Sequence, residues 1–197
     1  MTIPLPLTFP YLLVFWPVYA WVFAPEFRLM RQARVTALGP AEDRGSVRVL
    51  VLAFALASTA AWVIAFLVPS ATIVSFRLAV YLLGVVAIFA GGLLRRSCFR
   101  TLGHFFTGAI TIQPDHRVID CGPYRFVRHP SYSAALLLLA GIGLTLTNWL
   151  SIIVCLVVGL AAYTYRAHIE EQALLSALGT PYAQFMATRK RFIPYVY

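Results

Sequence analysis

The sequence predicts an all-α, polytopic membrane protein with about five transmembrane helices. Three observations predict it. Of 197 residues, 60% are hydrophobic and 12% charged, whereas soluble domains are about one quarter charged. Mean hydropathy is +0.79. The apolar residues gather into stretches near the roughly 20 residues that a membrane helix needs, with the charged residues crowded between them.

The first predicted span is residues 5–24, rich in Phe, Tyr and Trp. It contains Pro10 and Pro17 and has neither a basic leader nor a small-residue cleavage site, so no cleavable signal peptide is expected. The second span, 49–68, ends at Pro69. The third is 74–94, and Arg77 near its start is expected to snorkel to the outer interface. Residues 131–165 are too long for one span and too short for two ordinary spans plus a loop. Thr147-Asn148-Trp149 falls in the middle, which predicts a tight helical hairpin. Each arm would hold about 15 residues and reach roughly 22 Å. Gly179 reads as a helix stop, and Thr180-Pro181 as the start of a short helix in the C-terminal tail. Gly84, Ala87, Gly91 and Gly141 read as packing positions where helices approach closely. The chain is expected to form a single membrane domain. Residues 1–94 would supply three helices and residues 95–197 the site-bearing region.

Charge orients these helices. Of the 16 basic residues, 15 lie in 25–48, in 95–130 or in the tail from Arg166. The positive-inside rule places those segments in the cytoplasm and the N-terminus outside. All seven acidic residues and all four histidines share the same segments, so any chemistry is expected on the cytoplasmic face. The net charge of +9 then reflects topology and attraction to anionic lipid. Nucleic acid is not an expected partner, because no soluble basic domain exists to hold it. The basic set is 15 Arg and 1 Lys, a bias that points to a GC-rich prokaryote and its plasma membrane. Cys98, Cys121 and Cys155 are odd in number and lack metal-ligand spacing, so neither a disulfide framework nor a metal site is expected.

Two polar clusters flank the hairpin. The first runs Gly122-Pro123-Tyr124-Arg125-Phe126-Val127-Arg128-His129-Pro130-Ser131-Tyr132. Gly122-Pro123 is a turn signal. A residue before proline avoids the helical region, and proline is favoured at the first helical position. His129 should therefore be extended and Pro130 should start the fourth span. That leaves free N–H groups at Ser131, Tyr132 and Ser133, which would attract a carboxylate. The same cluster also fits a plain juxtamembrane anchor, with Arg on lipid phosphates and Tyr in the aromatic belt. The second cluster is Arg166-Ala167-His168-Ile169-Glu170-Glu171. Arg166 and Glu170 are four apart and could simply pair on a helix. Two adjacent carboxylates at the end of a span need partners if buried.

Arg128-His129-Pro130-Ser131-Tyr132 after Gly122-Pro123-Tyr124, followed by a membrane hairpin and Arg166…Glu170-Glu171, resembles the isoprenylcysteine carboxyl methyltransferase family and the related phospholipid methyltransferases. The resemblance covers roughly residues 80–197 and implies S-adenosylmethionine as cofactor. It assigns cofactor binding to His116, Arg117, Val118 and Ile119, then to Tyr124, His129, Pro130, Ser131 and Tyr132, and finally to Glu170. It assigns Arg166 to the substrate. Val118-Ile119 departs conservatively from the family's Leu-Val. The expected reaction is direct methyl transfer to a lipophilic acceptor, an isoprenylcysteine-like carboxylate or a small lipid, entering from the bilayer. A carboxylate acceptor needs no general base. A phenol, thiol or amine would, and His129 or Glu171 then becomes the catalytic candidate beside Arg166. Membrane sterol reductases share the Gly-Pro-Tyr…Arg-His-Pro…Tyr element, but a nicotinamide cofactor needs more room than these short polar loops offer. A reductase and a non-catalytic scaffold are the alternative readings.

Overall fold

The computed structural model describes residues 3–35, 43, 45–107, 110–113 and 115–194, and for residues 26–35 the backbone alone. Residues 36–42 of the predicted loop 25–48 lie outside the described residues. Among the described residues six α-helices follow one another: α1 (Leu12–Val35), α2 (Ser46–Leu67), α3 (Arg77–Leu102), α4 (Pro130–Thr145), α5 (Trp149–Leu178) and α6 (Thr180–Thr188). Two isolated β-bridges, Thr72 with Asn148 and Val127 with Lys190, join loops. The helices α2, α3 and α5 are long and apolar enough to cross a membrane, while α4 and the Leu12–Pro25 part of α1 are shorter apolar helices. The all-α polytopic expectation holds. Apolar side chains on the outer faces stay exposed, Leu56 by 67% and Val157 by 61%. In a bilayer those faces meet lipid rather than water.

Three boundaries differ from the sequence expectation. First, a 3₁₀ turn at Leu5–Leu7 precedes α1, which starts at Leu12 and runs through Pro17 and Pro25 to Val35. Membrane helices tolerate proline when neighbours satisfy the freed backbone groups. Second, α3 continues past residue 94 to Leu102. Its basic end is held rather than frayed: Arg96 donates to the Trp21 carbonyl (2.6 Å) and lies 3.3 Å over the Trp21 ring. Third, the hairpin arms are unequal. The 16 residues of α4 reach about 24 Å. The 30 residues of α5 reach about 45 Å. Helix α5 does not stop at residue 165 because its charged residues find buried partners and need no water.

Helix α3 packs most extensively on α4, α2 on α5, and α1 on α3. Small residues make the first contact possible. A Cβ on Gly141 would lie 2.8 Å from the Gly84 carbonyl oxygen, and one on Gly84 would lie 2.6 Å from the Thr145 amide nitrogen. The hairpin turn is locked. Asn148 caps α5 by accepting from the Ser151 amide (3.2 Å) and donates to the Val68 carbonyl (3.1 Å). Ser151 donates to the Ala61 carbonyl inside α2 (2.7 Å). Arg77 does more than snorkel: it donates to Thr147 Oγ1 (3.2 Å) and to the Ile3 carbonyl (2.9 Å). These ties clamp one end of the bundle, so the opposite end, where both polar clusters sit, is built on a fixed frame.

Candidate active site

A 3₁₀ turn, Gly122–Arg125, brings Tyr124 under the start of α4. Gly122 adopts a φ of +56°, and a Cβ there would lie 2.7 Å from Thr101 Oγ1, so glycine alone suits the turn. His129 follows at φ −124° and ψ 60°, non-helical but not the extended conformation expected, and Pro130 is the first residue of α4 as expected. The N–H groups of Tyr132 and Ser133 donate back to the His129 carbonyl (3.0 and 3.1 Å). The predicted cradle of open amides is therefore corrected: the first turn of α4 satisfies two of them itself.

The anionic part of the site comes from α5. Glu171 is 3% exposed and is surrounded by cations. Its Oε1 lies 3.1 Å from His129 Nε2 and 3.1 Å from Arg128 Nε. Its Oε2 accepts from Arg191 Nε (3.1 Å) and Nη2 (2.7 Å). The C-terminal segment reaches this place because Arg128 and His129 donate their amides to the Lys190 and Arg191 carbonyls (2.8 and 3.0 Å). Ser133 Oγ donates to the Phe192 carbonyl (2.6 Å), and buried Phe192 lies against the His129 and Tyr132 rings.

Glu170 faces the other way. It accepts a short hydrogen bond from the Tyr132 hydroxyl, and its Oε2 lies 3.5 Å from His129 Nδ1. His129 thus bridges both carboxylates, with its ring stacked 5.1 Å from that of Tyr132. Burial opposes a charge on His129, but the hydrogen bonds to Glu170 and Glu171 outweigh it and raise its pKa. In its protonated form His129 donates to both carboxylates. The sign of its pH dependence follows. A raised folded pKa gives stability that is complete below the unfolded value of about 6.5 and lost as pH rises through the folded value. The melting temperature in detergent is expected to fall between pH 6 and pH 9. A profile that rises over that range contradicts a charged His129.

Arg166 is also buried. Its Nε donates to the Tyr132 hydroxyl (3.2 Å), and its Nη1 donates to Asp43 and to Ser46 Oγ. The expected i to i+4 ion pair with Glu170 is thus replaced by Asp43, Ser46 and the Tyr132 hydroxyl, which itself donates to Glu170. Asp43 also accepts from the Ile110 amide (3.1 Å) and the Val47 amide (3.2 Å). Burial alone would raise its pKa, but the Ile110 amide and Arg166 overcome this and keep the carboxylate ionised.

These groups wall one end of a cavity of about 420 Å³, within the usual range of small-ligand sites. Of the predicted site residues, His116, Arg117, Val118, Ile119 and Tyr124 line it along one side. His129, Ser131, Tyr132, Arg166 and Glu170 line it from α4 and α5. Pro130 and Glu171 are not in the wall; Pro130 starts the helix and Glu171 faces the arginines. The other end is apolar, with Tyr19 and Phe23 of α1, Leu50 and Phe54 of α2, and Tyr163 of α5. His116 Nδ1 is buried with no hydrogen-bond partner among the described residues, and burial lowers the pKa of this imidazole. Sequence reasoning missed Asp43, Ser46, Arg191 and Phe192. Asp43 stands 123 residues from Arg166, and nothing local marks the pairing.

The sequence profile of the isoprenylcysteine carboxyl methyltransferase family matches residues 81–176, the stretch that supplies Arg95, Tyr124, His129, Tyr132, Arg166 and both glutamates. That stretch, just under half of the chain, is similar to the isoprenylcysteine carboxyl methyltransferase family. Protein-S-isoprenylcysteine O-methyltransferase B of Arabidopsis thaliana is 31% identical over 115 residues, 57% of this chain and 58% of that one. The protein-S-isoprenylcysteine O-methyltransferase of Saccharomyces cerevisiae is 29% identical over 136 residues, 66% of this chain and 57% of that one. A probable protein-S-isoprenylcysteine O-methyltransferase of Oryza sativa subsp. indica is 30% identical, over 57% of this chain and 60% of that one. The chain thus spans under two thirds of the length of these relatives. Helix α1, Asp43 and the C-terminal Arg191 lie outside the matched stretch, yet they complete the site.

Proposed function

We propose that this chain is an S-adenosylmethionine-dependent methyltransferase of the membrane, acting on a lipophilic acceptor that enters from the bilayer. The observation that carries the reading is the two-ended cavity. Its polar lining comes from the matched stretch, and α1 and α2 add apolar lining through Tyr19, Phe23, Leu50 and Phe54. The donor set suits the cofactor. Glu170 offers an acceptor to an ammonium or hydroxyl, His116 Nδ1 is an orphaned buried nitrogen, and Tyr124 and Tyr182 offer aromatic faces.

When bound, S-adenosylmethionine supplies a methyl carbon on a positively charged sulfur, already activated toward a nucleophile. The residues then need mainly to align and to dry the site. Alignment of this kind can supply roughly 7–11 kcal/mol. Tyr132, held by Arg166 on one side and Glu170 on the other, fixes the floor of the cavity. The apolar end excludes water from the acceptor. Arg166 presents its cationic face to the acceptor group. Glu171 is committed to Arg128, His129 and Arg191, and both nitrogens of His129 face carboxylates. A carboxylate acceptor, which requires no general base, therefore fits this set of residues well.

Calorimetry on purified protein is expected to detect S-adenosylhomocysteine with micromolar or better affinity. Binding of NADPH in its place would favour the reductase reading instead. The same reading requires the polar end to face the cytoplasm, where the cofactor is made. In a Cys121→Ser background, a reporter cysteine at position 2 is expected to react with an impermeant reagent in intact cells. Reporters at 115 and 186 are expected to stay protected. Strong external labelling at 115 would reverse the orientation.

A further inference from the structure

We infer that Asp43 is a positioning residue of this site: it holds the Arg166 guanidinium so that it meets Glu170 only through the shared Tyr132 hydroxyl and not as a direct ion pair. The inference rests on the methyltransferase reading. Asp43 is 3% exposed and Arg166 4%, so each needs the other as a counter-ion. Four donors converge on this one carboxylate. Arg166 Nη1 is the first, and Ser46 Oγ at 3.2 Å is the second. The amides of Val47 at 3.2 Å and Ile110 at 3.1 Å complete the set. The carboxylate therefore belongs to the start of α2, yet it also anchors the connection that leads into His116–Ile119. It lies outside residues 81–176, so the family match assigns it nothing.

The physical consequence concerns Glu170. Arg166 and Glu170 sit four residues apart on α5, a spacing at which side chains reach one another. If Asp43 did not hold Arg166, Glu170 would be the nearest carboxylate on its own helix face. The guanidinium would turn to it, leave Ser46, and remove from Glu170 the negative charge that faces the cavity. Asp43 keeps the two cavity charges from pairing directly: Arg166 and Glu170 share the Tyr132 hydroxyl, and the rest of the Glu170 carboxylate stays available to the cavity. It touches no reacting atom on this account. It acts through Arg166.

The test uses the full chain in detergent or nanodiscs, with S-adenosylhomocysteine as binding probe and N-acetyl-S-farnesylcysteine as methyl acceptor. Asp43→Asn keeps the shape and loses the charge. It is expected to weaken S-adenosylhomocysteine binding at least fivefold and to lower kcat at least tenfold. Adding Arg166→Ala should restore binding to within twofold of Arg166→Ala alone, because the competing cation is then gone. A merely structural Asp43 predicts no such rescue. A double variant that binds as weakly as Asp43→Asn, or an Asp43→Asn protein with unchanged binding and turnover, overturns the inference. Should Asp43→Asn not fold, Asp43→Glu takes its place, with a weaker loss and the same rescue expected. Wild-type protein that binds no S-adenosylhomocysteine would sink the methyltransferase reading, and Asp43 is then judged by ¹⁵N-arginine NMR. The Arg166 Nε–H is expected to be ordered and slow to exchange in the wild type and to lose that protection in Asp43→Asn. Protection unchanged by the substitution overturns the inference on its own.

Discussion

Glu171→Ala is expected to destabilise the protein by about 3–5 kcal/mol, the cost of leaving buried ionic partners uncompensated. Three cations converge on this carboxylate. Arg191 contributes two hydrogen bonds, while Arg128 and His129 each approach to 3.1 Å. Glu171 is 3% exposed, so water cannot replace it. The same carboxylate ties the C-terminal segment to α5, and loosening that segment would also uncover Phe192. Thermal unfolding in detergent, followed by circular dichroism, gives the measure. Glu171→Gln should lie between wild type and alanine, because an amide accepts from Arg191 but carries no charge. A Glu171→Ala protein that melts with the wild type would show that the cluster is screened by solvent after all.

Glu170→Ala is expected to act on binding rather than on the fold. Its carboxylate lines the cavity, accepts from Tyr132 and lies 3.5 Å from His129 Nδ1. Hydrogen bonds to a charged group are worth about 1.5–3 kcal/mol. The affinity for S-adenosylhomocysteine should therefore fall by roughly one to two powers of ten. Melting temperature should change less than for Glu171→Ala, since Glu170 is partly open to the cavity. Calorimetry and melting on the same preparations separate the two neighbours. If Glu170→Ala bound as wild type does while Glu171→Ala did not, the roles of the pair would be exchanged.

Much was legible in the sequence because its signals are local. Apolar stretches fix helices, His129-Pro130 fixes a helix start, and Gly179 fixes a stop. A motif of contiguous residues is read without knowing the fold, and most of its members line one cavity. Helix ends were less legible. Helix α5 carries Arg166, Glu170 and Glu171 past the point where hydropathy says it should end, because their partners come from elsewhere in the chain. Hydropathy counts residue types and is blind to partners. Of the open amides expected at Ser131–Ser133, those of Tyr132 and Ser133 closed on the His129 carbonyl, since a helix turn satisfies its own groups before it serves a ligand.

The sequence by itself determined that this is a helical membrane protein, which stretch carries the family pattern, and which side chains of that stretch gather around one cavity. Tertiary structure alone decided how the charges are shared. Arg166 belongs to Asp43 and Tyr132, Glu171 to Arg128, His129 and Arg191, and Glu170 to the cavity. The reason is physical. In a site closed to water, a charge takes the partner that packing brings within about 3 Å, and over 123 residues of chain only the fold sets that distance.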